Sequence, residues 1–273
     1  MRFRRRTTHV SLAIPSSTTC ENPDPLRKTE KVGSIARAAA VFGVDSVWVY
    51  RTDDGDDGNT IAQILRYAET PPYLRRHLFG PNDEALRYAG LIPPLRCPHH
   101  QPQGEFAEGV VTKVGADHSI WVDIGEDSPA LLRQPPRGLA AGRRVTVRYV
   151  SRRPLEVAMA HRDQPPEYWG YEVVEAEGLS HVLRGQRRCI LTSAHGEEAS
   201  PKRLAELQSG SPDGMCLVFG SPLGGVLDYL RKEDISTDEA GALLNTVPGQ
   251  CVETVRTEEA IWATLAVCNI VWG

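Results

Sequence analysis

The sequence predicts an α/β fold interrupted by a small β-barrel. Three observations predict it. Strand and helix patterns alternate over the first hundred residues, only short strands fill 106–160, and the alternation resumes after Pro165 and Pro166. Alternating strands and helices imply a parallel sheet, whereas short strands separated by turn residues imply a barrel or sandwich. The expected organisation is one α/β domain in two parts, residues 1–103 and 165–273, with residues 104–164 inserted between them.

The first strand covers 9–15, where Val10, Leu12 and Ile14 recur at period two. The basic lead-in of Arg2, Arg4, Arg5 and Arg6 resembles the start of a signal peptide. The apolar stretch 10–14 is too short for one, however, and no small-residue cleavage site follows. Over 28–42, Val32, Ile35, Ala36 and Ala39 share a helical face, and Gly43 stands where a helix stops. Residues 46–50 form a compact apolar strand. Asn59 or Thr60 then caps a helix carrying Ile61, Ile64, Leu65 and Ala68, which Pro71 and Pro72 end. The acidic run 53–58 has calcium-loop composition without the terminal glutamate of an EF-hand, and reads as an exposed loop. Pro93, Pro94, Pro98 and Pro102 stiffen the next connection. Cys97, His99 and His100 within it are metal-ligating types, but nothing nearby completes a tetrahedral spacing; a hinge is expected there, and no metal.

Five short strands follow at 108–114, 119–124, 130–132, 144–150 and 155–160, with Gly115, Gly125, Pro135, Gly138 and Gly142 among the turn residues. That number of strands in so short a span makes the OB fold the leading candidate. Between 131 and 154 lie Arg133, Arg137, Arg143, Arg144, Arg148, Arg152 and Arg153, with no acid among them. Such a run is either a phosphate footprint or a solvated face. Trp121 and Tyr149, on the second and fourth strands, are either stacking platforms or barrel core.

In the last third, 189–192 reads as a strand ending in a loop at 193–196. Ser200 and Pro201 start a helix carrying Leu204 and Leu207, and 215–219 is a strand ending at Gly220. A loop at 245–250 leads to a final helix with Ile261, Leu265 and Cys268 on one face. Thr257 is placed to cap it, and Glu258 and Glu259 to complement its positive end.

No apolar run approaches the roughly 20 residues of a membrane helix. The 6 cysteines lie far apart without a CxxC pair, which suits a reducing, cytoplasmic setting. The formal net charge of -4 does not announce a nucleic-acid binder.

Ligands of open parallel sheets bind beyond the carboxyl ends of the strands. The loops 192–196, 220–225 and 245–250 lie at such ends and are rich in Gly, Pro, Ser and Thr. Gly220-Ser-Pro-Leu-Gly224-Gly225 is neither a GxGxxG fingerprint nor a Walker A loop. Three segments instead match, in order, the motifs of SPOUT methyltransferases: Thr192-Ser193-Ala194-His195-Gly196-Glu197, Leu217-Val218-Phe219-Gly220-Ser221-Pro222 and Asn245-Thr246-Val247-Pro248-Gly249-Gln250. Residues 254–260 continue the third. The stretches 64–71 and 86–91 resemble the archaeal and eukaryotic branch of that family with an inserted OB-like domain, described as RNA uridine-N3 methyltransferases.

The resemblance implies a SPOUT α/β knot, a trefoil at the carboxyl end, binding S-adenosyl-L-methionine, and a homodimer. It carries cofactor contacts onto Thr192, Ser193, His195, Gly196, Gly220, Asn245, Thr246, Pro248 and Gly249. His195 stands where a relative has arginine, and Cys251 where glycine is common. Arg256 matches the motif arginine and could orient substrate or the cofactor carboxylate; the alternative is a structural arginine. His195 is a candidate base. The leading expectation is methyl transfer to RNA, at a base nitrogen. A protein side chain or small molecule as acceptor is one alternative, and a non-catalytic RNA-binding protein of the same fold is another.

Overall fold

The chain runs β1 (Val10–Pro15), α1 (Pro25–Val41), β2 (Ser46–Tyr50), α2 (Gly58–Glu69) and a short α3 (Arg75–Leu78). Five strands follow: β3 (Phe106–Val114), β4 (Ile120–Asp123), β5 (Ala130–Arg133), β6 (Arg144–Arg152) and β7 (Leu155–Met159). The remainder is β8 (Glu172–Ala176), α4 (Leu179–Gly185), β9 (Cys189–Glu198), α5 (Pro201–Ser209), β10 (Met215–Val218), α6 (Val226–Lys232), α7 (Thr237–Ala240), β11 (Ala242–Asn245) and α8 (Thr257–Trp272). This computed structural model describes residues 5, 6, 8–102, 104–186, 188–211 and 214–273. Arg2 and Arg4, named above, lie outside them, as does position 103.

Two compact units form. One comprises Glu69–Glu84 with Arg96–Gly170, and the other Arg6–Ala68, Ala85–Leu95 and Tyr171–Gly273. The barrel-containing unit thus reaches further on both sides than the 104–164 insertion read from the sequence. The cause is buried charge, described below, which binds the end of α2 and residues 162–169 to the barrel strands.

In the α/β unit, β1 is buried at every position, as in a parallel strand covered on both faces. It lies inside an all-parallel sheet of order β11-β9-β10-β1-β2-β8. Ala13, Leu191 and Val218 face a core completed by Leu179, Val182 and Leu230 of α4 and α6. Asp24 caps α1 by accepting from the Leu26 N–H, with Pro25 in the first turn, so that helix starts earlier than position 28. Gly43, at φ 62, follows its end. The second helix begins at Gly58 rather than after Asn59 or Thr60, and its first turn closes with Ile61 N–H on the Asp57 carbonyl. The acidic run before it is only partly exposed. Asp57 accepts from Lys28 at 2.6 Å and Thr19 at 2.7 Å, and Asp54 pairs with Lys232. Burial opposes the charge on Asp57, but those bonds hold its carboxyl below the usual range. Among the described residues, no helix is long and apolar enough to cross a membrane.

In the other unit, β3-β4-β5-β7-β6 close a barrel whose pairings are antiparallel except for β5 with β7. Alternation sends Ala107, Val111, Ile120, Val122, Leu132, Val147 and Val157 inward. A side chain at Gly109 would collide with Val122 and Ile124, so this strand position needs glycine.

The arginine run does not form a free cationic face. Arg144 is half-buried, bonding Glu69 Oε2 and Glu108 Oε2 at 2.6 Å each. Arg162 reaches Glu69 Oε1 at 2.8 Å, while Thr146 and Trp169 donate to Glu108 Oε1 at 2.5 and 2.6 Å. Burial alone would push the Glu69 carboxyl up, but the two guanidiniums and His99 hold it well below the usual carboxylate range. Arg133 pairs with Glu156, Arg148 with Glu105 and Arg152 with Glu126. Among the described residues, Arg137, Arg143 and Arg153 remain exposed without a carboxylate partner. Trp121 is on the outer face, 36% exposed, and Tyr149 is half-buried with Arg152 over its ring at 4.0 Å.

Candidate functional site

The site is built where β9, β10 and β11 end. β9 does not stop at Thr192 as the sequence suggests; it continues to Glu198. Its pairing with β11 jumps from Leu191 opposite Leu243 to Glu197 opposite Leu244. Residues 192–196 are therefore an excursion within the strand, and such an irregularity re-aims side chains away from the ladder. Gly196 makes the return possible, because a Cβ there would lie 2.6 Å from the Leu244 carbonyl carbon. At Gly220, after β10, a Cβ would lie 2.8 Å from the Gly224 oxygen. Both glycines serve close backbone approach rather than unusual dihedrals. Gly249 differs, with φ 70 and nothing near its missing Cβ.

Hydroxyl and amide groups lash the three segments together. Thr192 Oγ1 donates to the Val218 oxygen at 2.9 Å, and Asn245 Nδ2 to the Ala194 oxygen at 3.3 Å. Asn245 Oδ1 accepts from the Val247 N–H at 3.0 Å, bracing the third loop. The Thr246 hydroxyl meets that of Thr264 on α8 at 2.7 Å. Thr257 does not cap α8: Arg256 is the cap residue, and the Thr257 hydroxyl donates to the Gly220 oxygen at 3.0 Å. Arg256 is exposed, with its own N–H on the Glu259 carboxylate at 2.9 Å.

Between these segments lies a cleft of about 610 Å³, within the ordinary range of small-molecule sites. Thr192, Ser193, His195, Gly220, Asn245, Thr246 and Arg256 line it. Gly196, Pro248 and Gly249 do not. Gly196 shapes the excursion from behind, and Pro248 and Gly249 sit exposed on the loop's outside. His195 is exposed, and its backbone N–H rests on Ser193 Oγ at 3.2 Å.

The sequence reading missed Glu21, Asp228, Arg231 and Glu253, which also line the cleft. Glu21 follows β1, so the rule that ligands sit at carboxyl ends of parallel strands points to it. Asp228 is signalled by position: three residues after Gly225, it accepts that glycine's N–H at 2.8 Å and starts α6. The mouth thus mixes carboxylates with Arg231 and Arg256, while the interior combines hydroxyls, an amide and main chain with apolar side chains such as Phe219, Val226 and Val247.

A family model described as "Putative RNA methyltransferase" matches residues 9–268. An uncharacterized protein of Halobacterium salinarum is 38% identical over 93% of this chain and 96% of its own. The 28S rRNA (uridine-N(3))-methyltransferase of Homo sapiens is 32% identical over 96% of this chain and 78% of its own. Among solved structures, the SpoU methyltransferase AviRb from Streptomyces viridochromogenes in complex with AdoMet covers 98% of this chain and 60% of its own. Its TM-score is 0.40 at 10% identity, below the level that fixes a shared fold.

Proposed function

The chain belongs to that RNA methyltransferase family, and from this premise we propose that it transfers a methyl group from S-adenosyl-L-methionine to a base nitrogen of RNA, N3 of uridine. The observation that carries the reading is the cleft itself, which gathers seven of the residues named from the three motifs on two adjoining loops and one strand excursion.

The donor set suits this cofactor. Main-chain groups brought close at Gly196 and Gly220 fit adenine recognition, and Thr192, Ser193, Asn245 and Thr246 offer partners for ribose and amino-acid groups. Bound there, S-adenosyl-L-methionine supplies an electrophilic methyl group on a sulfonium. Since methyl transfer is a displacement at carbon, the protein's work is alignment and removal of the uracil N3 proton. Arg256, exposed at the start of α8, orients the acceptor or a carboxylate. His195, exposed at the cleft mouth, is the proposed acceptor of the proton.

The barrel is proposed to be an OB-type module gripping the RNA strand. Its closure, with the third and fifth strands parallel and the rest antiparallel, supports this. The carboxyl-terminal trefoil and the homodimer are parts of the same proposal. One observation favours a protein acceptor instead: four of the seven arginines that suggested a phosphate footprint are already paired with carboxylates.

Calorimetry with S-adenosyl-L-methionine tests the cofactor site. Thr246→Trp, which breaks the bond to Thr264 and fills the cleft, is expected to weaken binding at least tenfold. Unchanged affinity in that variant and in Gly220→Leu places the site elsewhere. Mass spectrometry of RNA from deletion and parental strains tests the acceptor, with 3-methyluridine expected to disappear in the deletion.

A further inference from the structure

Cys97, His99 and His100 read in sequence as a hinge, yet they fold into one buried cluster at 7%, 0% and 7% exposure. Each side chain brings a ligating atom within 4.8 Å of those of the other two. All three, with Glu69, belong to the barrel-containing unit.

Hydrogen bonding fixes which nitrogens are available. His99 Nε2 and His100 Nε2 lie 2.9 and 2.8 Å from the same oxygen, the Glu69 carbonyl. A carbonyl oxygen only accepts, so both Nε2 atoms carry hydrogen, and in neutral rings each Nδ1 keeps its lone pair. His99 Nδ1 is buried and, among the described residues, has no hydrogen-bond partner. A buried imidazole lone pair without a donor is a site that wants a cation or a proton. Metal-binding histidines characteristically rest their other ring N–H on a carbonyl or carboxylate, which fixes tautomer and ring orientation. Here the Glu69 carbonyl does this for both rings, and Glu69 Oε1 lies 3.1 Å from His99 Nε2.

We propose that Cys97, His99 and His100 bind one zinc-class divalent cation through a thiolate and two imidazoles. One thiolate with two imidazoles suits a borderline-soft ion and disfavours magnesium or calcium. Tetrahedral zinc places ligand atoms about 3.3–3.8 Å apart, so binding gathers the Cys97 sulfur and the two Nδ1 atoms to that spacing. The Glu69 carboxylate is committed to Arg144 and Arg162, leaving a water for the fourth position. The cation holds the segment carrying residues 97–100 against Glu69. The alternative is that the imidazoles only cap the Glu69 carbonyl. This inference does not depend on the methyltransferase reading.

The test uses the full chain without a histidine tag, dialysed against zinc and then metal-free buffer, with metal read by plasma mass spectrometry. About one equivalent per chain is expected in the wild type, with a loss of at least tenfold in Cys97→Ser and His99→Gln and none in Cys251→Ser. Less than about a tenth of an equivalent in the wild type, or full retention in Cys97→Ser, overturns the proposal. Should both cluster variants fail to fold, cobalt substitution of the wild type decides. A near-ultraviolet thiolate-to-cobalt band supports the site, and its absence removes it.

Discussion

Arg144 sits where two buried carboxylates converge, and its removal leaves Glu69 and Glu108 facing each other with half their compensation gone. Breaking a buried pair from one side costs about 3–5 kcal/mol. Arg144→Ala is expected to destabilise the protein by that much in urea unfolding, whereas Arg143→Ala, exposed next door, should stay within about 0.5 kcal/mol. Equal effects would show that the network carries no stability. The pH dependence has a definite sign. Glu69 titrates lower in the folded chain than in the unfolded one, so its contribution is complete above the ordinary glutamate range and fades as pH falls toward the folded value. Glu69→Gln should therefore flatten the acid side of the stability profile. Nothing in the sequence separates Arg143 from Arg144. Strand alternation says that one faces in and one out, but the choice depends on pairing with β3 and on Glu69, 75 positions away. Thr257 was obscure for a similar reason: its residue type suits a cap, and only the folded chain places Gly220 within its reach.

The elements that sequence located best are those whose pattern is local. The five barrel strands fall within two residues of their expected limits because alternation and turn glycines mark both ends. β8 and α4 went unread: an edge strand paired only with β2 lacks a continuous apolar run, and a seven-residue helix is too short for a helical period to declare itself. The excursion in β9 was invisible because a loop and an irregular strand share the same small residues. It makes a testable contrast between two glycines. Gly196→Ala drives a Cβ into the Leu244 backbone, which is not a flexible side chain, and should disrupt the β9–β11 pairing and weaken cofactor binding at least tenfold. Gly249→Ala meets open space and pays only for its positive φ, about 1–2 kcal/mol. Cofactor calorimetry on the pair checks this, and a reversed order would mean that the third loop, not the excursion, shapes the cleft. On the barrel, the exposed Trp121 lies beside Lys113 of β3. If that face grips RNA as proposed, Trp121→Ala should lower affinity for a single-stranded oligonucleotide by about 1–3 kcal/mol without altering cofactor binding.

For the whole molecule, charge and exposed apolar surface make separate claims. Ile270 near the end of α8 is 83% exposed, and Val41 at the end of α1 is 50% exposed, on helices that pack together. The proposed homodimer would cover such surface, so sedimentation should give a dimer at micromolar concentration, and Ile270→Glu should shift it toward monomer. The net charge of -4 means that RNA cannot be held by a general cationic field; any attraction must come from a few local phosphate contacts. Arg137, Arg143 and Arg153 are the exposed candidates within the arginine run that pair with no carboxylate among the described residues, Arg144 being half-buried and committed to Glu69 and Glu108. Each phosphate neutralised on a single strand adds about -0.7 to the slope of log affinity against log salt. Three contacts therefore predict a contribution of about -2, well below that of strongly basic binders. Changing the three together to glutamate should remove most of that slope and weaken binding most at low salt, where counterion release contributes most. Arg144→Met, by contrast, should alter stability while leaving the slope unchanged in the fraction that remains folded. Cofactor binding should survive the triple change, because the cleft residues lie in the α/β unit. If the triple variant binds RNA with the wild-type slope, the insertion does not supply the phosphate contacts. If methylation then also persists after nuclease treatment, the acceptor is a protein side chain or a small molecule, and the pairing of the other arginines with carboxylates has a simple meaning: the barrel never faced phosphate.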